Sequence, residues 1–249
     1  MTDRKLAICI ITIQPAIELI HFYSQFKNYD IFFMIDDEKI SIDCHKESYP
    51  YIHFIQIEKE KCMKSGYKHS SYMQNSSLIF NEIIAWDKAL FFFCSHFKNH
   101  GYEKIWFFED DVFIYNEKTV ALIDDKYPQS DILCRDKNPE SKPDEWQWFW
   151  PAIHPAIPRP YFHSPICAVR MSKKLLDTIA QYIEENGRMF FIEAMFPSLA
   201  NYYNLLYDQP PEFSKLVWRR DWQSDEIEKT DFVHPIKDPA IQQLYREKI

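Results

Sequence analysis

The chain has 249 residues, 46% of them hydrophobic and 17% aromatic, which is enough for one domain with a sizeable core and too apolar for a disordered chain. Its formal net charge is −8 and its Lys and Arg residues are scattered, which speaks against a nucleic-acid-binding face. A phosphate-bearing substrate would then need a local positive charge, and a metal ion can supply one.

The N-terminal apolar run Leu6–Ile13 is too short for a membrane span and has no small-residue cleavage site, so it predicts a buried strand, Lys5–Ile13. No other stretch reaches membrane length. Cys9, Cys44, Cys62, Cys94, Cys134 and Cys167 lie far apart with no C-x-x-C pair, the usage of buried free thiols in a reducing, cytoplasmic compartment. Richness in Ile, Lys, Asn, Phe and Tyr points to an AT-rich genome, such as that of a large DNA virus.

After the first strand, Pro15 suits a helix start, with Ile17, Ile20, Phe22, Tyr23 and Phe26 behind it. Ile31–Ile35, ending in Asp36-Asp37, and Tyr51–Ile57 read as further strands, rich in β-branched and aromatic residues. A polar loop spans Lys59–Tyr72. Ile79, Ile83, Trp86, Leu90, Phe93 and Phe97 then recur at helical spacing, and Gly101 is the stop signal. Lys104–Phe108 is a central strand and Asp131–Cys134 a short one. Eight prolines between Pro128 and Pro165, interleaved with Trp146, Trp148 and Trp150, forbid a regular helix; the aromatics indicate an ordered loop packed on the domain. Ile166–Arg170 is a strand, Ser172 caps a helix that Asn186-Gly187 closes, and a second helical stretch covers Glu193–Leu206. The tail after Pro210 reads as polar and irregular. Alternation of strands and helices makes this an α/β layered sheet.

The protein contains only three glycines, Gly66, Gly101 and Gly187, so a phosphate-cradling loop of clustered glycines is absent. Any nucleotide must be held by other means. The segment Glu109-Asp110-Asp111, set between Ile105–Phe108 and Val112–Ile114, supplies one. Three adjacent like charges between apolar runs repel one another and resist desolvation unless a cation neutralises them. Residues at i and i+2 of an extended chain face the same side, so Glu109 and Asp111 can share one divalent ion through hard oxygen ligands. The end of a central strand is also where open α/β sheets bind ligands.

This segment resembles the acidic D-x-D signature of GT-A-fold glycosyltransferases, in a Glu-Asp-Asp variant. The resemblance implies a Rossmann-like mixed sheet flanked by helices in a single domain over residues 1–249, with a nucleotide-sugar-binding half (1–135) and an acceptor-binding half (136–249). It implies a UDP- or GDP-sugar donor, a glycan or glycoconjugate acceptor, and Mn²⁺ or Mg²⁺. Asp111 would be the main metal ligand, Glu109 would touch the ribose or a metal-bound water, and Asp110 the donor sugar. Asp36 and Asp37 match the strand end that recognises the nucleoside. Asp87 and Lys88 lie on the helix that carries donor-binding side chains, whereas Trp86, on the apolar stripe, reads as core. His234 in Val233-His234-Pro235-Ile236-Lys237 resembles the late histidine that completes the metal shell, and Lys237 could meet a phosphate.

An inverting transfer also needs a base near the acceptor hydroxyl. Glu193, a lone carboxylate in Met189–Pro197, has the apolar surroundings that raise a pKa, and its place is similar to that of the late acidic base of inverting GT-A enzymes. The same residue is equally suited to a helix N-terminus, and a retaining enzyme would not require it. Trp146, Trp148 and Trp150 offer indole faces for sugar stacking. The competing readings are a glycan-binding protein of the same fold without catalysis and a metal-dependent phosphodiesterase.

Overall fold

The computed structural model describes residues 6–68, 73–74, 77–78, 83–98, 101–140 and 156–249. In chain order the strands are Leu6–Thr12 (β1), Asp30–Ile35 (β2), Ile52–Gln56 (β3), the short pair Met73–Gln74 and Ser77–Leu78 (β4, β5), Lys104–Glu109 (β6) and Phe113–Ile114 (β7). There follow Ile132–Leu133 (β8), Asn138–Pro139 (β9), Phe162–His163 (β10), Ala168–Ser172 (β11), Tyr207–Asp208 (β12), Lys215–Leu216 (β13) and Phe232–His234 (β14). The α-helices are Ile17–Tyr23 (α1), Asp43–Ser48 (α2), Lys59–Lys64 (α3), Ala85–Phe91 (α4), Glu117–Lys126 (α5), Lys173–Asn186 (α6), Ile192–Tyr202 (α7) and Pro239–Lys248 (α8).

Every residue of β1 from Ala7 to Thr12 is buried, which places the strand inside a sheet covered on both faces. It pairs in parallel with β2 on one side and β6 on the other. Among the described residues, seven strands form one mixed sheet in the order β12-β8-β11-β6-β1-β2-β3. β11 turns antiparallel to both β6 and β8. Period-two alternation sends successive residues of the central strands into two different cores. Ala7, Cys9, Ile11, Ile105 and Phe107 meet α4, α6 and α7, whereas Ile8, Ile10, Trp106 and Phe108 meet α1 and α5. The protein is thus a mixed α/β sheet flanked by helices.

The predicted central strands, the Ser172-capped helix and the helix over Glu193 all form, with shifted ends. The Ser172 hydroxyl accepts from the Leu175 amide, and Gly187 closes α6 with a φ of 69°, the left-handed geometry that a glycine adopts at least cost. Three expectations change. The polar loop over Lys59–Tyr72 begins with α3, whose one buried residue is Cys62, too weak an apolar stripe to be read from the sequence. The helix through Phe97 is α-helical only over Ala85–Phe91 and continues as a π-helical turn, Phe92–His96; Ile79 lies outside the described residues. The tail after Pro210 is not irregular: β13 and β14 form a small sheet with β7, and Tyr245 of α8 packs against an apolar cluster around Phe113, Trp222 and Val233. Helix α5 was not anticipated, because only Val120 and Ile123 among its residues are large, apolar and buried. Residues 141–155, including most of the proline–aromatic loop, lie outside the described residues; the flanking β9 and β10 pair antiparallel. No helix among the described residues is long and apolar enough to cross a membrane.

Pro197 sits inside α7 and has no amide hydrogen to give the carbonyl four residues earlier, that of Glu193. That carbonyl accepts instead from the Ser164 amide at 3.0 Å. Ser198 on the same helix hydrogen-bonds both backbone groups of Phe162. The start of α7 is thereby tied to the segment between β10 and β11, which places Glu193 at the edge of the site described next.

Candidate metal centre

The chain turns sharply after β6, and neighbouring elements take several of its backbone polar groups. The Glu109 amide donates to Cys167 (2.8 Å), the Asp110 amide to Ile11 (3.1 Å) and the Val112 amide back to Glu109 (3.0 Å). The Asp110 carbonyl accepts from Gln242 Nε2 and the Asp111 carbonyl from the Ile236 amide, both at 2.8 Å. Strand β1, strand β11 and the C-terminal segment therefore all clamp the acidic turn.

The three side chains are sent in different directions. Trp86 Nε1 donates to Glu109 Oε1 at 2.8 Å, and the Thr12 hydroxyl donates to Asp110 Oδ2 at 2.5 Å. The remaining oxygens face His234, whose Nε2 is 3.2 Å from Asp111 Oδ1 and 3.6 Å from Glu109 Oε2. One ligand atom each from Glu109, Asp111 and His234 lies within 4.8 Å of the others.

The tautomer of His234 decides what this cluster needs. Its Nδ1 lies 2.6 Å from the Val217 carbonyl oxygen, which can only accept, so Nδ1 carries the proton. In the neutral ring Nε2 is then a bare lone pair aimed at two carboxylates, and Asp111 Oδ1 is buried with no hydrogen bond aligned on it. With the ring neutral, three acceptors face one another, so either a proton on Nε2 or a cation must lie between them. A histidine oriented through its second nitrogen by a backbone carbonyl is the arrangement of metal-ligating imidazoles. Carboxylate oxygen and imidazole donors together suit a divalent cation. The residues present fit a cation.

The protonation equilibria report the same excess of negative charge. Burial, then the neighbouring Asp111, raises the Glu109 carboxyl against the opposing Trp86 hydrogen bond. Burial likewise raises Asp110, opposed by Thr12. Burial would lower the His234 ring, but contact with Asp111 and Cys167 outweighs it and the ring is held well above its ordinary range. Glu193, in the first turn of α7, is pushed up to about 8 by burial and by repulsion from Glu109, offset by His234.

Two cavities open on either side of this cluster, and Glu109 and Asp111 line both. The smaller, about 270 Å³, lies at the carboxyl ends of β1, β2 and β6, lined by Thr12, Ile13, Asp36, Trp86 and Asp110. It sits where the chain order reverses, since β1 is followed by β2 on one side and flanked by β6 on the other, the place where open α/β sheets bind ligands. The larger, about 800 Å³, has a wall built from the segment 218–222 together with Lys237 and Tyr245.

Of the residues singled out from the sequence, Glu109, Asp111 and His234 meet at one point, and Glu193 lies within electrostatic reach of it. Asp36 lines the small crevice. Asp37 does not; its carboxylate accepts from Gln14 and the Lys39 amide. Asp87 is buried and accepts from the Ile84 amide, holding the start of α4. Lys88 is fully buried and lies 3.1 Å from Asp36 Oδ1 and 2.9 Å from Glu38 Oε1, so its charge reaches the crevice through Asp36. Lys237 lines the large cavity. Trp146, Trp148 and Trp150 lie outside the described residues.

Two contributions were missed. Trp86, read as core, is 3% exposed and yet supplies the N–H that orients Glu109. The segment Trp218-Arg219-Arg220-Asp221-Trp222 was passed over as irregular tail, although two indoles around two guanidinium groups are an available signal for a ring- and anion-binding surface.

No protein-family model matches the chain, and no curated protein matches it. Solved structures similar to it include a glycosyltransferase involved in the glycosylation of the major capsid of PBCV-1, 10% identical with a TM-score of 0.42, over 98% of this chain and 100% of that one. Mouse xyloside xylosyltransferase 1, in its apo form, is 12% identical with a TM-score of 0.38, over 82% and 84%. The 4-diphosphocytidyl-2C-methyl-D-erythritol synthase of Anaerococcus prevotii is 11% identical with a TM-score of 0.42, over 84% and 85%. Each is a likeness in the course of the chain.

Proposed function

We propose that the protein is a divalent-metal-dependent glycosyltransferase of GT-A type, which moves a sugar from a nucleoside diphosphate, UDP or GDP, to a hydroxyl acceptor such as a glycan. One observation carries the reading: His234 Nδ1 is committed to the Val217 carbonyl, which leaves Nε2 to converge with Asp111 and Glu109 at the end of a central strand. Asp111, Glu109 and His234 would hold the ion. When bound, the ion neutralises the diphosphate and so eases its departure as a leaving group.

The chain's own residues divide the rest of the work. The crevice at the strand reversal receives the nucleoside, with Asp36, braced by Lys88, at one wall and Asp110, braced by Thr12, at the other. Residues 1–135 thus supply most of the donor site, and the later half contributes His234 and the acceptor side, including the indoles of Trp146, Trp148 and Trp150. In an inverting transfer the bond from the anomeric carbon to the phosphate oxygen breaks as the acceptor oxygen attacks from the opposite face. The acceptor's proton passes to Glu193. A carboxylate with a pKa near 8 is a stronger base than an ordinary one and is about half ionised at that pH, which suits this role.

The test is calorimetric. UDP and GDP are titrated into the protein in Mn²⁺ and in EDTA; one of them binds, and only with the metal. Equal affinity of that nucleotide in both buffers overturns the reading. A thermal-shift panel of nucleotide-sugars with Mn²⁺ then identifies the donor from the largest shift.

A further inference from the structure

Helix α8 inverts the usual pattern of burial. Gln242 is its one buried residue, at 0% exposure, while its neighbours Ile241 and Leu244 are 37% and 40% exposed. An amide shut away from water is costly unless it is hydrogen-bonded, and each polar atom of this one has a partner. Nε2 donates to the Asp110 carbonyl at 2.8 Å and to the Ile236 carbonyl at 3.0 Å, and Oε1 accepts from Arg246 Nη2 at 3.0 Å. A guanidinium can only donate, so it decides which end of the amide faces the two carbonyls; the flipped amide would set an acceptor against two acceptors. Arg246 is itself fixed, with Nε donating to the Ile114 carbonyl at 3.0 Å and the guanidinium lying 3.5 Å over the Phe22 ring.

The two carbonyls belong to the two segments that carry the candidate ligands. Asp110 precedes Asp111, and Ile236 lies two residues after His234. The Ile236 amide donates to the Asp111 carbonyl at 2.8 Å, so both carbonyls flanking the Asp111 α-carbon are held from the C-terminal segment. The backbone has only two soft rotations at a residue, and holding the peptide groups on either side restrains both. The Asp111 side chain therefore leaves the backbone toward His234, and its Oδ1 stands 3.2 Å from Nε2.

We infer that Gln242 is a positioning residue of the candidate metal centre: its amide, oriented by Arg246, couples the acidic turn to the segment after His234 and sets the spacing between Asp111 and His234. The inference rests on the proposed metal-dependent reading for what that spacing serves. The coupling itself needs no metal.

Mn²⁺ is titrated into the full chain, and the free ion is followed by its electron paramagnetic resonance signal. Gln242→Met keeps the length of the side chain and removes both donors, and its Mn²⁺ affinity is expected to fall about tenfold, the scale of a lost supporting contact behind a ligand. Arg246→Met tests the coupling from its other end. Loss of a positive charge would by itself strengthen cation binding, so weaker binding in this variant reports the lost orientation of the amide. Tyr245→Phe is the control on the same helix, since it removes only the hydrogen bond from Tyr245 to the Trp222 carbonyl at 2.8 Å and should leave Mn²⁺ affinity unchanged. All affinities are measured well below each variant's melting temperature. Unchanged affinity in Gln242→Met, or an equal fall in Tyr245→Phe, overturns the positioning role. Hydrogen exchange of the Ile236 amide, measured in EDTA, separates this from the metal reading. Faster exchange in Gln242→Met, with wild-type protection in Tyr245→Phe, supports the coupling, and unchanged exchange in Gln242→Met overturns it. If the wild type binds no Mn²⁺, the metal reading fails and the exchange result alone decides whether Gln242 couples the two segments.

Discussion

Two buried polar clusters lie a few residues apart along β6, and they differ in whether their charges close on themselves. In the middle of the pair Arg170 lies in register with Trp106. Its guanidinium donates to Asp124 at 2.6 Å and to the Tyr127 carbonyl, and Asp124 also accepts from Tyr29 and Trp106. One positive and one negative charge meet there, and nearly every polar atom is paired. At the carboxyl end of β6, beside the amino end of β11, Glu109 and Asp111 meet His234 of β14, and two carboxylates there face a single imidazole. A buried cluster whose charges close on themselves holds the fold together; one that stays open on one sign calls for a ligand.

The comparison can be broken in four ways. Asp111→Ala is expected to have the largest effect on function, abolishing metal-dependent nucleotide binding in calorimetry. It removes a charge that repels Glu109 and also one that pairs with the His234 ring, so the melting temperature of the metal-free protein changes little. A large fall in stability would place Asp111 in the structural class.

Glu193→Gln should bind nucleotide and metal normally and turn over roughly 10²–10⁴ times more slowly, the reach of general-base catalysis. The base acts in its ionised form, so wild-type rates climb with pH up to about 8 and then level off. In the variant that rise disappears. Retention of the donor's anomeric configuration in the product would remove the need for this base. The linked effect on stability has the opposite sense. The folded carboxyl holds its proton to a higher pH than the unfolded one, so stability falls as pH rises from the ordinary glutamate range through about 8. Glu193→Gln removes that slope in a denaturant titration.

At the closed cluster, Asp124→Ala strands the Arg170 charge in the core and should cost about 3–5 kcal/mol in chemical denaturation. Nucleotide affinity, measured on the fraction that stays folded, is unchanged.

The smallest effect sharpens the boundary between the two classes. Trp86→Phe keeps a ring in the core but removes the hydrogen bond to Glu109, so Mn²⁺ affinity should fall by about 10–100-fold with little loss of stability. An unchanged Mn²⁺ affinity would return Trp86 to the core alone.

Hydrophobic pattern by itself determined the central strands and helix α6, because a strand buried on both faces and an amphipathic helix advertise their surroundings in residue type and period. Glu109 and Asp111 were legible for a related reason: a run of carboxylates between apolar residues is a local conflict that local structure cannot resolve. His234, sequentially distant, entered through a resemblance, and no property of the segment around it tells that its Nδ1 meets Val217. Helices α3 and α5 were silent because each buries too few apolar side chains to leave a stripe. Trp86 looked like core and is core, but which acceptor its N–H finds depends on how α4 packs against β6. The same holds for Lys88, whose charge is spent on Asp36 and Glu38, and for the 218–222 wall, brought to the site by the pairing of β13 with β14. Burial is written residue by residue along the chain; the partner of a polar group is chosen by elements far apart in sequence, and only their packing decides it.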